Sequence, residues 1–249
     1  MLTGQVDPTS RQNTGLPPTE QHRDLFREFQ WSDQTGTLTP VVFMCLYPDQ
    51  TRYQAEFEQD EVNRGQGFQQ WRLSAVTTVQ HFAQDLLGWT SPPLATVLSG
   101  GGTHDAWAQV QIKSATAGAP TITLALSRLE LNTNGGIWEV TDITTEGMAL
   151  FAPQQGQQVS SPLQVTGSEG TLAGTGTSII LFDHDRTAIG QAMIPQTSGA
   201  GNAPFTLQVP YTSSLPGGTQ EGSLALYSSA ANHVIVGAVM TKVLLNASA

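Results

Sequence analysis

The period of the apolar residues changes near Phe151, and this change constrains the fold more than any other feature of the chain. Residues 75–87 carry apolar side chains at three- and four-residue spacing, which is typical of an amphipathic helix. After Phe151 no helical period returns, and about seven short apolar segments follow, separated by turn residues. A chain of 249 residues is long enough for two domains. The sequence therefore predicts two domains of different class, with a hinge at residues 146–153.

The first domain, residues 21–147, is expected to be an α+β domain in which a helix packs on one antiparallel sheet. Ser74 is suited to cap the start of the 75–87 helix, and Gly88 is suited to end it. Glycine-rich turns then separate alternating segments, which predicts an antiparallel meander of strands at 94–98, 106–113, 120–131 and 136–143. Upstream, the patterns predict a short helix at 22–30, a strand at 39–47, a strand at 51–57 that pairs back on it as a hairpin, and a loop at 58–70.

The second domain, residues 151–246, is expected to be an all-β immunoglobulin-like sandwich, because about seven short strands with turns between them match the size and rhythm of that fold. The chain has one cysteine, so no intrachain disulfide can form and apolar packing alone would hold this core. With its own strands and turns, the segment 151–249 should fold alone. The predicted strands are residues 159–160, 163–167, 177–183, 188–194, 204–209, 223–227 and 234–245.

A motif opens this second domain. Residues 156–167 read Gly-Gln-Gln-Val-Ser-Ser-Pro-Leu-Gln-Val-Thr-Gly, and a strand that ends in an acidic turn at Asp183 follows. The pattern resembles the bacterial Gmad2 domain, an immunoglobulin-like domain associated with sporulation and spore germination proteins. One of the two adjacent serines is an insertion relative to the family pattern. The later pieces are collinear with that pattern: residues 204–210, 222–227 and a final strand through Val243.

Two motifs of the first domain carry a second resemblance. Leu87-Gly88-Trp89 ends the predicted helix, and residues 136–140 read Gly-Ile-Trp-Glu-Val. Together they resemble the domain that precedes Gmad2 in some bacterial envelope lipoproteins, whereas the GerMN domain, a more familiar Gmad2 companion, does not match. The resemblances imply an envelope-located, non-catalytic binding or assembly role, with an envelope protein or polysaccharide as the partner. They bring no catalytic residues and no cofactor.

The charge balance excludes a nucleic-acid partner. The chain carries 10 Lys and Arg against 20 Asp and Glu, a formal net charge of −10, and Lys113 and Lys242 are its only lysines. A nucleic-acid interface needs clustered basic side chains to neutralise phosphates, and a basic patch is also what docks a protein on anionic lipid. Charged residues make up 12% of the chain, about half the usual share. Such a surface fits a β-rich extracytoplasmic protein.

The N-terminal segment, residues 1–20, is polar and contains Pro and Gly, which is typical of a disordered tail or tether. Met1 is followed directly by this segment, which suggests that a leader has been removed. No apolar run reaches the roughly 18 residues that a membrane-spanning helix needs. We therefore expect a protein of the bacterial cell envelope or a secreted protein, without a membrane span. Nothing in these patterns indicates an oligomeric state.

The cysteine, the histidines and the polar and glycine-rich clusters do not show the spacing of an active site. Cys45 lies in an apolar segment and is expected to be a buried core residue rather than a nucleophile. The polar cluster at residues 183–186 joins two apolar strands, so we interpret it as a turn rather than a metal site. The Gly-rich residues 100–105 lack the order of a phosphate-binding loop and precede a strand, so a turn is expected there too. The five histidines are scattered, at positions 22, 81, 104, 184 and 233. We predict no catalytic residue, no cofactor and no bound metal.

All five tryptophans fall in the first predicted domain, and two alternatives to the leading hypothesis stay open. Large rings usually seal a core or a domain edge, and this is the favoured interpretation. A row of exposed rings would instead indicate an extracellular carbohydrate-binding protein, and a deep polar pocket with perturbed carboxylates would indicate a hydrolase with its site at the domain junction. The leading hypothesis is a non-catalytic binding or structural module of a bacterial cell envelope, tethered by its N-terminal tail. The tryptophans are Trp31, Trp71, Trp89, Trp107 and Trp138.

Overall fold

Antiparallel β-structure dominates the protein, as predicted. The structure is a computed structural model that describes residues 28–32, 36–67, 69–131, 135–169, 176–195, 203–213, 217–230 and 233–247. Within these residues the strands form one two-stranded, one nine-stranded and one three-stranded sheet, accompanied by two α-helices.

The helices and strands follow one another in chain order. The helices are α1 (Arg52–Asn63) and α2 (Ala75–Asp85), with a short 3₁₀-helix at Gln70–Leu73 between them. The strands that precede the predicted hinge are β1 (Glu28–Ser32), β2 (Thr37–Val41), β3 (Ala95–Gly100), β4 (Trp107–Lys113), β5 (Thr121–Arg128) and β6 (Trp138–Thr145). The later strands are β7 (Ala149–Ala152), β8 (Gln158–Val159), β9 (Leu163–Glu169), β10 (Gly176–Phe182), β11 (Ala188–Ile194), β12 (Ala203–Val209), β13 (Thr219–Ser229) and β14 (Ile235–Asn246).

Helix α2 confirms the helix predicted at 75–87. The Ser74 hydroxyl accepts a hydrogen bond from the Thr77 N–H and so caps the first turn. At the other end Gly88 adopts a φ of +68°, and the Trp89 N–H donates to the Ala83 carbonyl at 3.1 Å. A glycine is suited to this position because the left-handed region costs it little.

Helix α1 overturns two predictions, the hairpin strand at 51–57 and the loop at 58–70. Thr51 and Gln54 form a capping box, in which each side chain accepts from the backbone N–H of the other residue. Arg52 and Glu56 then pair across one helical turn, at 2.9 Å. The helix has few apolar residues, so the period of its side chains did not indicate it, and the capping box is the signal that could have done so.

The segment upstream also differs from its prediction. Glu28, Phe29 and Gln30, assigned to a helix at 22–30, begin strand β1, which pairs with β2; residues 22–27 of that predicted helix, and the tail at 1–20, lie outside the described residues. The strand predicted at 39–47 is shorter, since β2 ends at Val41 and Tyr47 makes only an isolated bridge with Val140. Backbone pairing between β1 and β2 therefore outweighs the helical period of the short apolar segment.

The four-strand meander is confirmed, and it continues into the second half of the chain. Strands β3, β4, β5 and β6 are neighbours in that order, and β6 then pairs with β14 through Ile143 and Met240. The nine-stranded sheet runs β11-β10-β13-β14-β6-β5-β4-β3, with β8 paired to β14 at the side. One sheet thus contains strands from both sides of the predicted hinge.

The strands predicted for the second half are also confirmed, and they lie in two sheets that enclose one apolar core. Strand β7, inside the predicted hinge, pairs with β9, and the three-stranded sheet runs β12-β9-β7. Its inward side chains meet those of β10, β13 and β14 from the nine-stranded sheet. We call this cluster core 2; it includes Val165, Ile179, Leu181, Val209, Leu224, Leu226, Val239 and Val243.

The opposite faces of β13 and β14 belong to a different cluster, core 1. Tyr227 pairs with Ala238, and Ala225 pairs with Met240, so these four side chains share one face of the sheet. They pack in one cluster with the buried face of α2 and with the inward residues of the meander. Core 1 includes Tyr47, Val79, Phe82, Val110, Ile112, Ile122, Leu124, Val140, Ala225, Tyr227, Ala238 and Met240.

Candidate functional site

Strand β4 separates two faces of the sheet that differ in exposure. Ala108, Val110 and Ile112 are buried in core 1, which also contains the buried residues of α2. Trp107 and Gln109, at the alternate positions, are exposed. Successive side chains of a strand point to opposite faces, so the face away from α2 is the accessible one.

The strand register extends this accessible face over β5 and β6. Residues directly opposite each other in an antiparallel pair point to the same side of the sheet. Gln109 pairs with Ala125, which in turn pairs with Asp142. The pairing of β4, β5 and β6 and the alternation along β4 place further side chains on this side, and we call this surface the open face: Trp107, Gln109, Gln111, Lys113, Thr121, Thr123, Asp142 and Thr144.

Trp107 is the most distinctive residue of the open face. Its side chain is 54% exposed, although core or domain-edge packing was the favoured interpretation. That prediction is wrong for Trp107 and also for Trp31, which is 57% exposed on the β1–β2 hairpin. It holds for Trp89 and Trp138, which are buried. The alternation of β4, Trp-Ala-Gln-Val-Gln-Ile-Lys, was the available signal, because it places the ring on the side of two glutamines and a lysine.

The open face can bind a polar ligand by stacking and hydrogen bonding. An exposed indole offers a large apolar surface with an N–H at its edge, and tryptophans of this kind dominate many interfaces. The glutamines and threonines around it are neutral donors and acceptors. Partial burial raises the pKa of Asp142, partly opposed by the N–H of Ile143. The face carries one cation, Lys113, and one carboxylate, Asp142, so its chemistry suits a ligand with little net charge.

The other residues singled out in the sequence serve the fold. Cys45 is buried as predicted, and burial together with the nearby Glu139 raises the pKa of its thiol to about 12. Such a thiol stays protonated at neutral pH and is a poor nucleophile. His81 stacks on Trp71, with ring centroids 4.2 Å apart, while His104 and His233 are exposed and His22 lies outside the described residues.

The polar cluster at residues 183–186 forms a tight turn between β10 and β11. Asp183 Oδ1 accepts hydrogen bonds from the backbone N–H groups of Asp185 and Thr187, at 3.0 and 2.9 Å. Arg186 has a φ of +59°, and His184 Nδ1 lies 2.5 Å from Gln220 Oε1. Asp183 is thus occupied by the turn itself. Across the part of the chain that the structure describes, no three His, Cys, Asp or Glu side chains are grouped to hold a metal ion.

The glycine-rich residues between β3 and β4 also form a turn. The Asp105 carboxylate accepts a hydrogen bond from the Gly102 N–H at 2.8 Å, and an Arg128 guanidinium N–H donates to the Gly102 carbonyl at 2.9 Å. Gly100 has a φ of +63°, and a Cβ there would lie 2.2 Å from the Trp107 carbonyl oxygen, so only glycine fits.

Two buried ion pairs were missed by the sequence analysis. Arg72 contacts Glu139 at 3.2 Å and also donates to Gln50 Oε1 at 2.6 Å. Lys242 pairs with Asp49, and Glu221 lies 3.9 Å from the same ammonium group. For Lys242 the signal was a single basic residue inside an apolar segment, because such a residue is rarely buried unless it is paired. Arg72 lies close after two glutamines and offered no such signal.

Burial shifts the pKa values of these groups, and their charged partners shift the same pKa values in the opposite direction. Burial raises the pKa of Glu139 to about 7, although Arg72 lowers it. Burial alone would lower the pKa of Lys242, but Asp49 and Glu221 more than compensate, and the pKa is raised. A hydrolase with its site at the domain junction would need accessible carboxylates with shifted pKa values. Here the groups are buried: Arg72 is 0% exposed, and Glu139 and Lys242 are each 2% exposed.

The buried charges hold one stretch of chain, residues 43–50, between the two halves. The Phe43 N–H donates to Glu221 at 3.3 Å, and Ser223 donates to Asp49 at 3.2 Å. On the other side, the Tyr47 hydroxyl donates to Asp85 of α2 at 2.5 Å. We call residues 43–50 the junction segment. Its contacts assign a structural role to the ion pairs around it.

Comparison with known proteins found no match to this chain, whether among family models, curated proteins or solved structures. Within the described residues, neither α-helix has the length and apolar character needed to cross a membrane.

Proposed function

We propose that this protein is a non-catalytic binding module of the bacterial cell envelope and that the open face is its binding surface. One observation carries the proposal: Trp107 is 54% exposed among neutral hydrogen-bonding side chains, on a sheet whose other face is covered by α2. The exposed ring offers a partner a large, rigid apolar surface, which is the type of contact that dominates many interfaces.

The position of the reactive groups supports binding rather than catalysis. Cys45, Arg72, Glu139, Asp49 and Lys242 lie in the interior, and the charged ones pair with one another. A substrate would have to displace these pairs to reach them. The accessible open face instead offers an indole, amides and hydroxyls, which recognise a ligand without reacting with it.

The fold assignment and the location belong to the same proposal. Core 2 supports an immunoglobulin-like sandwich at 151–246, of the Gmad2 type that the motif at 156–167 resembles. The α+β unit at 21–147 supplies most of core 1, which β13 and β14 complete. An envelope location follows from that resemblance and from the low content of charged residues, 12%. The polar residues 1–20 would then serve as a tether.

A carbohydrate partner is the second candidate, favoured by the composition of the open face. Sugars offer an apolar ring face and many hydroxyls, which match an indole on a face that continues through Gln109 to Gln111 and Thr123. The buried Trp89 and Trp138 leave Trp107 alone on this face rather than in a row. An envelope polysaccharide could therefore take the place of an envelope protein.

The test compares two exposed tryptophans. Trp107→Ala should weaken binding about tenfold or more, as loss of a central aromatic contact does, whereas Trp31→Ala serves as the matched control and should leave binding unchanged. Binding is measured by cosedimentation with purified cell-wall polysaccharide and by titration of envelope proteins that cross-link to the chain. Polysaccharide binding that depends on Trp107 selects the second candidate. Equal binding by both variants would rule out the open face.

A further inference from the structure

We propose that strand β3 is a self-association edge, through which two copies of this chain pair antiparallel and join their nine-stranded sheets. The partner is a second copy of the chain, and the contact lies at the edge of the sheet rather than on the open face. The inference therefore stands independently of the proposed function.

The first observation is that β3 ends the sheet and one of its sides is open. Ala95 pairs with Ile112 and Gly100 with Ala108, both on β4. In the described ranges no strand pairs with the second side of β3. An edge of this kind presents unpaired backbone N–H and C=O groups, which are a template for another strand.

The opposite edge of the same sheet is partly covered, unlike the edge formed by β3. Strand β11 is the other terminal strand, but Gly190 of β11 forms a backbone bridge with Tyr211. The segment that follows β12 thereby covers part of that edge. Covering an edge is one of the usual ways in which proteins prevent unwanted pairing.

The second observation is that β3 lacks the charges that normally protect an edge. Asp85 and Asp105 flank a stretch without any Asp, Glu, Lys or Arg, and β3 lies inside it. In a chain with a formal net charge of −10, two copies approach most easily through such a neutral segment.

The third observation is an apolar surface at this edge. Leu94 is 88% exposed, Val97 42% and Leu98 48%. They are three of the nine large apolar side chains that are exposed in the described residues. The register shifts at Leu98, so regular pairing is limited to short runs on either side of it. The apolar side chains must then supply much of the contact.

Charge complementarity favours a second copy over an unrelated strand. Lys113 follows Ile112 and so lies at the Ala95 end of β3, whereas Asp105 lies in the turn at the Gly100 end. A two-fold antiparallel pair places the Ala95 end of one copy beside the Gly100 end of the other. Lys113 and Asp105 both lie one strand back from the shared edge, so each pair contributes a long-range attraction between the copies, and this attraction occurs twice.

The experiment measures the dimer dissociation constant of the full chain by sedimentation velocity over a range of concentrations. Leu98→Lys should weaken the dimer at least tenfold, because it adds a charge to each side of the shared edge. Met193→Lys is the matched control, since Met193 is 67% exposed at the opposite edge of the sheet, and it should leave the constant unchanged. Circular dichroism confirms that each variant is folded.

A charge exchange tests the antiparallel arrangement. Lys113→Asp alone and Asp105→Lys alone should each weaken self-association, because each places like charges opposite one another. An equimolar mixture of the two variants should form a heterodimer, because both contacts are then restored. A wild-type chain that stays monomeric at all concentrations overturns the proposal. So does a dimer that resists Leu98→Lys, while failure of the mixture to associate overturns the antiparallel pairing.

Discussion

Strands β4 and β14 occupy the same sheet but experience different surroundings. On β4, Ala108, Val110 and Ile112 are buried while Trp107 and Gln109 are exposed. On β14 nearly every residue is buried, because Ala238 and Met240 face core 1 whereas Val239 and Val243 face core 2. The sequences reflect this: β4 alternates, and β14 is almost continuously apolar. Strict alternation indicates one solvated face, and a continuous apolar run indicates layers on both sides.

The two strands differ in what a substitution can affect. A strand with a solvated face can carry a binding surface without loss of core packing, and this is the role that we propose for Trp107 on β4. A strand between two cores has no free face, so its polar residues must be paired internally. Lys242 of β14 meets this requirement through Asp49 of the junction segment. Changes on β14 should therefore affect stability, and changes on the outer side of β4 should affect binding.

Excision of the second half is the most severe test of the comparison. The segment 151–249 carries the strands that enclose core 2, so we expect it to fold. It would expose Ala225, Tyr227, Ala238 and Met240, which are buried in core 1, and we therefore expect it to self-associate. Thermal melts by circular dichroism and size-exclusion chromatography measure both properties. A non-cooperative melt would refute independent folding, and a well-folded monomer would refute the two-sided role of β13 and β14.

The two lysines of the chain provide the next test. Lys242→Ala leaves Asp49 and Glu221 buried without their cation, and we expect a loss of about 3–5 kcal/mol in the free energy of unfolding, as for other buried pairs broken on one side. Lys113→Ala, on the open face, should change it by less than about 0.5 kcal/mol. Urea denaturation measures both. Equal effects of the two substitutions would contradict the difference between β14 and β4.

The helix, the meander and the later strands were predictable because each has its own local period. Residues 75–87 repeat at helical spacing, and short alternating segments mark β4 and β10. Helix α1 was not predicted, since its stability relies on a capping box and on side-chain pairs rather than on an apolar stripe. The pairing of Ile143 with Met240 has no local signature, because the two residues are far apart in the chain and meet only in the folded sheet.

The candidate site was predictable only in part. The exposure of Trp107 follows from the alternation of β4, although ring size alone favoured burial. Arg72 and Glu139 are 67 positions apart, and no spacing rule connects them. Their buried pair depends on how the 3₁₀-helix and β6 are brought together around the junction segment. Local patterns therefore indicate faces of strands, and long-range packing decides which polar groups meet.

The pKa of Glu139 predicts how the stability of this buried region depends on pH. Its carboxyl pKa is raised by burial from 4.5 to about 7 in the folded protein, so the folded state holds its proton more tightly than the unfolded state. The stability that the protonated Glu139 carboxyl contributes is fully present below pH 4.5, and it is lost as the pH rises to about 7. Each unit of pKa difference corresponds to about 1.4 kcal/mol.

The measurement is urea denaturation of wild type and Glu139→Gln between pH 4.5 and 7.5. The glutamine keeps the shape of the side chain and removes the titration, so the pH dependence should become flatter in the variant. Asp142→Asn is the comparison on the open face, where the carboxyl is only partly buried, so its removal should change the pH profile less. An unchanged pH profile in Glu139→Gln would show that Glu139 stays ionised beside Arg72 throughout this range.

Smaller effects than that of Lys242→Ala are expected in the turn at residues 183–186, in which Asp183 is buried and Asp185 is exposed. Asp183→Ala removes the acceptor of two backbone hydrogen bonds and should cost about 1–2 kcal/mol. His184→Ala with Asp185→Ala removes the contact of His184 with Gln220 and should cost about 1 kcal/mol, the usual contribution of one hydrogen bond. EDTA should leave the melting temperature of the wild type unchanged, since a bound metal would stabilise the folded state by mass action. A melt that EDTA lowers, and that becomes insensitive to EDTA in the double variant, would show that this turn holds a metal ion.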